Sequence, residues 1–375
     1  MAFPIPSSAQ KKKPSVSLKW TIVGELPALS GHKKALGLAG PIVGASNGIL
    51  VVGGGANFPD SMPWLGGKKK YYNDLYVYKK NKNDSLILFK SFRLPFALAY
   101  SANISTNKGI VVAGGENENG SSDKVLLIKW MRASKNLLIK TLPNLPFKVT
   151  NAAASANGNK IYLAGGERNT IVSDAFLVLD LDNIEAGWKE LPSLPKPLSY
   201  VVMATQSDGR DNCIYIIGGR KKSRETLSDF YLSTFKFNLR TNQWQEMQPL
   251  AYGLSAGTGI ALRKNYILLF GGDKGETFHK VETLILDISK EKDEEKKKLL
   301  NQQRIAMQSS HPGFSKEVLL YNTITNEWTV SGFIPYDVPV TTTAVKWDKD
   351  VMIPGGEIKA GVRTPNILAV EIKIK

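Results

Sequence analysis

Six short apolar runs along the chain each end in a pair of glycines. They are Ile49–Gly55, Ile110–Gly115, Ile161–Gly166, Ile214–Gly219, Tyr266–Gly272 and Val351–Gly356. Each run is rich in β-branched residues and has no polar alternation, the pattern of a strand buried on both faces. A polar loop follows each glycine pair, then a strand of alternating character, as in Asp74–Tyr78, Asp174–Leu179 and Asp229–Leu232. Trp130, Trp188, Trp244 and Trp328 come next. They are expected on outer strands, as wedges between repeats rather than as ligand contacts.

The last glycines fall at 55, 115, 166, 219, 272 and 356, so the spacings are 60, 51, 53, 53 and 84. A repeat near 50 residues with a diglycine after a strand resembles the kelch repeat, one four-stranded blade of a propeller. The expectation is therefore an all-β, six-bladed kelch-type β-propeller occupying 16–375, with 1–15 a flexible N-terminal segment. The last repeat supplies only three strands, from Thr341 to Lys375, while Val16–Trp20 has no blade of its own. The N-terminal strand is expected to complete the final blade and close the ring.

The long spacing of 84 is explained by Ser289–Met307, which is rich in helix formers and has no Pro or Gly. It predicts a single helix inserted within 288–317 of the fifth blade. Such a run is ordinarily a solvated face, yet an insertion in a regular ring can also cover the axis.

Residues just after the glycine pairs should ring the axis. They are Ala56, Glu116, Glu167, Arg220, Asp273 and Glu357. Five of the six are charged, which marks this ring as a candidate site; polar lining of a watery channel is the plainer account.

Composition narrows the chemistry. One cysteine excludes an internal disulfide framework and a paired-cysteine zinc site. His32, His279 and His311 are far apart in sequence, which disfavours a histidine-rich metal centre. The net charge of +16 attracts anions in general. The lysines are dispersed through loops rather than gathered in a stripe, so nucleic-acid binding is not expected. No apolar stretch of roughly 18 residues occurs, and no membrane-spanning helix is expected. The start of the chain lacks the basic and apolar regions of a signal peptide, so the expectation is either a cytoplasmic protein or a mature form whose leader has been removed.

Two post-diglycine loops stand out. One runs Gly54-Gly55-Ala56-Asn57-Phe58-Pro59-Asp60 and on to Lys70-Tyr71-Tyr72; the other is Gly356-Glu357-Ile358-Lys359-Ala360-Gly361-Val362-Arg363-Thr364. With the inserted helix and Ser310-His311-Pro312-Gly313-Phe314, they resemble the bacterial N-acetylneuraminate epimerase (sialic acid mutarotase) family, in a branch with cyclically permuted blade order. The resemblance implies an isomerase acting on an anionic sugar, without cofactor or metal, in the periplasm. It implies Glu357 and Arg363 as the catalytic pair. Asn57, Lys69, Tyr72, Arg168, Arg220 and His311 are weaker candidates for substrate contacts.

The residue types suit that chemistry. A carboxylate can move the protons of ring opening, and a guanidinium can hold the substrate carboxylate. The alternative readings are a Glu357–Arg363 pair that only holds its loop, and a non-enzymatic kelch scaffold or sialic-acid-binding protein. No Ser-x-Asp-x-Gly-x-x-Trp box supports a sialidase. Scattered histidines and the lone Cys213 do not support a copper oxidase.

Overall fold

A computed structural model describes residues 15–28, 35–169 and 171–374. The expectation for 1–15, apart from Ser15, and His32 lie outside the described residues. The described chain forms six antiparallel blades in a ring, five of four strands and the first of five, its extra short strand Lys70–Tyr71 pairing beside Ala56 and Asn57. Blades one to five run in sequence order, from 39–93, 102–142, 153–190, 202–247 and 258–333. Blade six combines 345–347, 350–354 and 366–374 with the N-terminal strand Val16–Glu25. That strand pairs antiparallel with the last one, Val16 opposite Ile374 and Glu25 opposite Asn366. The ring is thus closed by joining the two ends of the chain in one sheet.

The continuous apolar runs follow from stacking. Each blade is covered on both sides, so successive residues of its second strand face different neighbours. Leu50 and Val52 pack with Met352, Ile367 and Trp347 of blade six, while Ile49 and Val51 pack with Ile110, Val112 and Leu126 of blade two. Six such hydrophobic clusters fill the six blade–blade interfaces. Burying one Leu or Ile side chain here contributes about 1.5–3 kcal/mol.

Every glycine of the six terminal pairs has positive φ. At Gly218 the requirement is also steric, because a Cβ there would lie 2.2 Å from the carbonyl oxygen of Leu254, on the segment that links blades four and five. A side chain at this point would push apart the turn that leads to the axis.

The tryptophans act as staples, with one correction. The indole N–H groups of Trp188, Trp244 and Trp328 donate to the carbonyls of Pro143, Pro192 and Gln248 at 3.0, 2.9 and 2.9 Å. Trp130 is instead on the third strand of blade two, Val125–Met131, buried edge-on to Phe89 and Phe92.

The insertion also differs from expectation. It begins earlier and holds two helices, α1 (Glu276–Lys290) and α2 (Glu294–Ser309). The break needs neither Pro nor Gly: Asp293 leaves the helical conformation and caps α2, accepting from the N–H groups of Glu295 and Lys296. Neither helix contributes to a hydrophobic cluster of the ring, and no helix among the described residues is long and apolar enough to cross a membrane.

Candidate functional site

The floor of the site is a closed circle of backbone hydrogen bonds. The N–H of Tyr100 donates to Gly40, Asn151 to Tyr100, Tyr200 to Asn151, Ala256 to Tyr200, Thr341 to Ala256 and Gly40 to Thr341, at 2.7–3.1 Å. One residue per blade takes part, and all six lie at φ between 53° and 58°. Five of them are not glycine, a conformation that costs of order 1 kcal/mol each and persists where the surroundings impose it. Here the circle imposes it.

The residue before each member of this circle bridges the residue after the corresponding diglycine. Ala39 pairs with Ala56. Ala99 pairs with Glu116, Thr150 with Glu167, Ser199 with Arg220, Ser255 with Asp273 and Val340 with Glu357. The charged ring read from the sequence is thereby fixed just above the floor.

Above it opens a cavity of about 790 Å³, within the range of small-molecule sites. Glu357 lies in it on a short hairpin, directly across from Arg363. Its Oε1 accepts the N–H of Gly361 at 2.8 Å and sits 3.4 Å from Nη1 of Arg363. Arg363 is only 9% exposed and its guanidinium lies over the Phe58 ring at 4.9 Å. Among the described residues its buried Nε and Nη1 have no hydrogen-bond partner, Nη1 meeting Glu357 only as an ion pair. Unpaired buried donors are costly, and a carboxylate ligand would satisfy them.

Burial shapes the neighbouring groups. It pushes the Tyr100 and Tyr200 phenols upward, so both stay neutral donors near neutral pH. Burial also raises Asp273, against the pull of the Gly275 N–H, Arg220 and His311. The same cause lowers His311 despite Asp273 and Glu357 nearby. His311 Nδ1 accepts the Gly313 N–H at 3.0 Å, which leaves the proton of the neutral ring on Nε2. For Lys69, burial opposes the charge, but Tyr100, Glu116 and Tyr71 outweigh it and raise the ammonium. Lys69 pairs with Glu116 at 3.0 Å, and Tyr71 donates to the same carboxylate at 2.8 Å.

A sequence model described as N-acetylneuraminate epimerase matches residues 142–375, well over half of the chain. The chain belongs to the N-acetylneuraminate epimerase family. Relatives bearing that family name include those of Brucella melitensis, 27% identical over 62% of this chain and 59% of its own length, and Salmonella typhi, 26% identical over 60% and 56%. A third, from Haemophilus influenzae, is 24% identical over 60% of this chain and 58% of its own length. The chain thus spans less than two thirds of the length of these curated relatives. The matched stretch holds blades three to five and the three C-terminal strands of blade six, and both Glu357 and Arg363 lie within it. Blades one and two, which carry Phe58, Trp64 and Lys69 of the cavity, lie outside it.

Of the residues singled out from the sequence, the cavity gathers Glu357, Arg363, Lys69, Arg220 and His311. Asn57, Tyr72 and Arg168 are not in its lining. Asn57 and Tyr72 are buried and spend their polar atoms locally. The Asn57 amide donates to the Gly37 carbonyl at 2.9 Å and its oxygen accepts the Tyr72 hydroxyl at 2.8 Å. They fasten the blade-one loop. Arg168 lies on the Phe147 ring at 3.8 Å.

Sequence reasoning missed Tyr100, Tyr200, Trp64 and Phe278, all of which line the cavity. A signal for the floor does exist. In four blades the floor residue lies 16 positions before the post-diglycine residue, as in the pairs 40/56, 100/116, 151/167 and 341/357. Nothing comparable marks Trp64 or Phe278, which sit on irregular insertions.

Proposed function

We propose that this protein interconverts the α and β anomers of N-acetylneuraminic acid, with Glu357 as the acid–base group and Arg363 as the carboxylate anchor. Family membership supports the substrate. The observation that carries the site is Arg363, buried beside Glu357 with two N–H groups unpartnered inside a cavity of sugar size.

The steps follow from the geometry. Arg363 takes the substrate carboxylate and thereby holds the adjacent anomeric carbon near Glu357. Oε1 of Glu357 is engaged by Gly361, while no protein group bonds Oε2 among the described residues. Oε2 removes the proton of the anomeric hydroxyl as the bond from the anomeric carbon to the ring oxygen breaks. The electron pair of that bond goes to the ring oxygen, and the proton gained by Glu357 is delivered there. The open-chain keto acid turns about the neighbouring carbon–carbon bond and recloses on the other face of the carbonyl by the reverse transfers. No proton is consumed overall. Tyr100 and the Nε2–H of His311 are neutral donors suited to the sugar's hydroxyl oxygens. A periplasmic location is part of the proposal, on the family resemblance alone.

The test is a proton NMR time course of freshly released α-N-acetylneuraminate with and without the protein. Conversion to the β anomer faster than in buffer is the expected result. An unchanged rate overturns the reading; if titration calorimetry still detects the sugar, a binding protein replaces it.

A further inference from the structure

The helical insertion is docked onto blade four rather than left in solvent. Ser228 donates from its N–H and hydroxyl to the Glu282 carboxylate of α1 at 2.9 and 2.5 Å, and the His279 ring bonds the Ser228 carbonyl at 2.8 Å. Phe230 packs against Phe278 and His279, with ring centroids 5.3 and 5.0 Å apart. The entry to α1 is built for this contact. Gly275 turns there at positive φ, and a Cβ on it would meet the Phe230 ring at 3.0 Å.

This docking brings Phe278 into the cavity wall beside Arg220. Its ring lies 4.7 Å from the Arg220 guanidinium, and the Tyr200 ring on the floor lies 4.2 Å from it. Arg220 is thus flanked by one aromatic from the ring and one from the insertion. Among the described residues its buried Nε has no hydrogen-bond partner, and the residue lines the cavity. Aromatic faces hold a guanidinium by its π-surface and leave the N–H groups in its plane for ligands.

We propose that Phe278 is the positioning residue for Arg220, so that docking of α1 on blade four presents the Arg220 N–H groups to the oxygen atoms of the bound sugar. The proposal rests on the anionic-sugar reading for its ligand, but not for the contact itself. The insertion then belongs to the binding site.

A double-mutant cycle tests it, with KM and kcat measured by NMR anomer exchange for Phe278→Ala, Arg220→Met and both together. Phe278→Ala should raise KM about tenfold, with kcat within about twofold of the wild type. Phe278→Tyr, which keeps the ring face, should restore KM. In the Arg220→Met background Phe278→Ala should add nothing. Effects that multiply, or a loss confined to kcat, overturn the proposal. The Arg220 Nε–H resonance gives a readout independent of turnover. It should exchange slowly with water in the wild type and Phe278→Tyr, and rapidly in Phe278→Ala. If that resonance is unchanged by Phe278→Ala the proposal fails, even with full activity. If the resonance behaves as expected in a protein inert toward the sugar, the positioning stands and the substrate reading falls.

Discussion

The circle of six backbone hydrogen bonds divides the axis into two cavities that share one floor and differ in everything else. The larger, about 790 Å³, is lined by Glu116, Glu167, Arg220, Asp273, Glu357 and Arg363 among others. The smaller, about 160 Å³ on the opposite side, has no charged residue in its lining among the described residues. Its walls are the starts of the first strands of the blades and the residues leading into them, among them Ser101, Ala102, Ala152, Ala153, Thr342 and Thr343. The propeller's near-symmetry therefore does not specify where chemistry goes. The strand end from which the diglycine loops depart does, because only there are side chains free to vary without breaking the blade stack.

The strongest challenge to this contrast is Arg363→Met. It keeps the bulk of the side chain and removes the donors proposed to hold the substrate carboxylate. KM should rise about a hundredfold, the scale for losing a buried charged hydrogen-bond pair. A KM within a few-fold of wild type would reduce the Glu357–Arg363 pair to a fastener of its own hairpin.

A smaller effect should separate the cavities by pH. Burial raises the Asp273 carboxyl in the folded protein, so the folded state holds that proton more tightly than the unfolded chain. The resulting stabilisation is complete below the unfolded value of about 4 and is lost as pH rises through the higher folded value. Asp273→Asn escapes the loss. Its melting temperature should gain on the wild type as pH increases from about 4 to about 7, measured by calorimetry. A gap that does not change with pH would mean that the Asp273 carboxyl is not raised by its surroundings.

The smallest effect is expected on the uncharged side. Thr343→Val in the small cavity should leave the anomerisation rate within about twofold and stability within about 0.5 kcal/mol. A large loss of activity would show that the two cavities are coupled through the shared floor.

Much of this contrast was legible in the sequence. The diglycines mark both the blades and the residues that follow them onto the axis, because the turn there demands positive φ and the bridge beyond it leaves little freedom. The closure by Val16–Glu25 was legible from strand counting. The loop residues were less so. Asn57 and Tyr72 read as ligand contacts because their types suit a sugar, and only the fold shows them spent on each other and on Gly37. The break within the insertion was obscured because Glu291-Lys292-Asp293 separates the two helices without a Pro or Gly. The part played by Phe278 depends on where α1 docks, which rests on the distant Ser228 and Phe230 and leaves no local pattern.

The central claim, that Glu357 moves the protons of ring opening, is tested most directly by the anomer exchange rate of Glu357→Gln at equilibrium, followed by NMR alongside the wild type. Glutamine keeps the size and an oxygen to accept the Gly361 N–H but cannot take a proton. The account predicts a fall of roughly 10²–10⁴-fold toward the buffer rate, with the melting temperature little changed. A variant that still exchanges the anomers near the wild-type rate would contradict it.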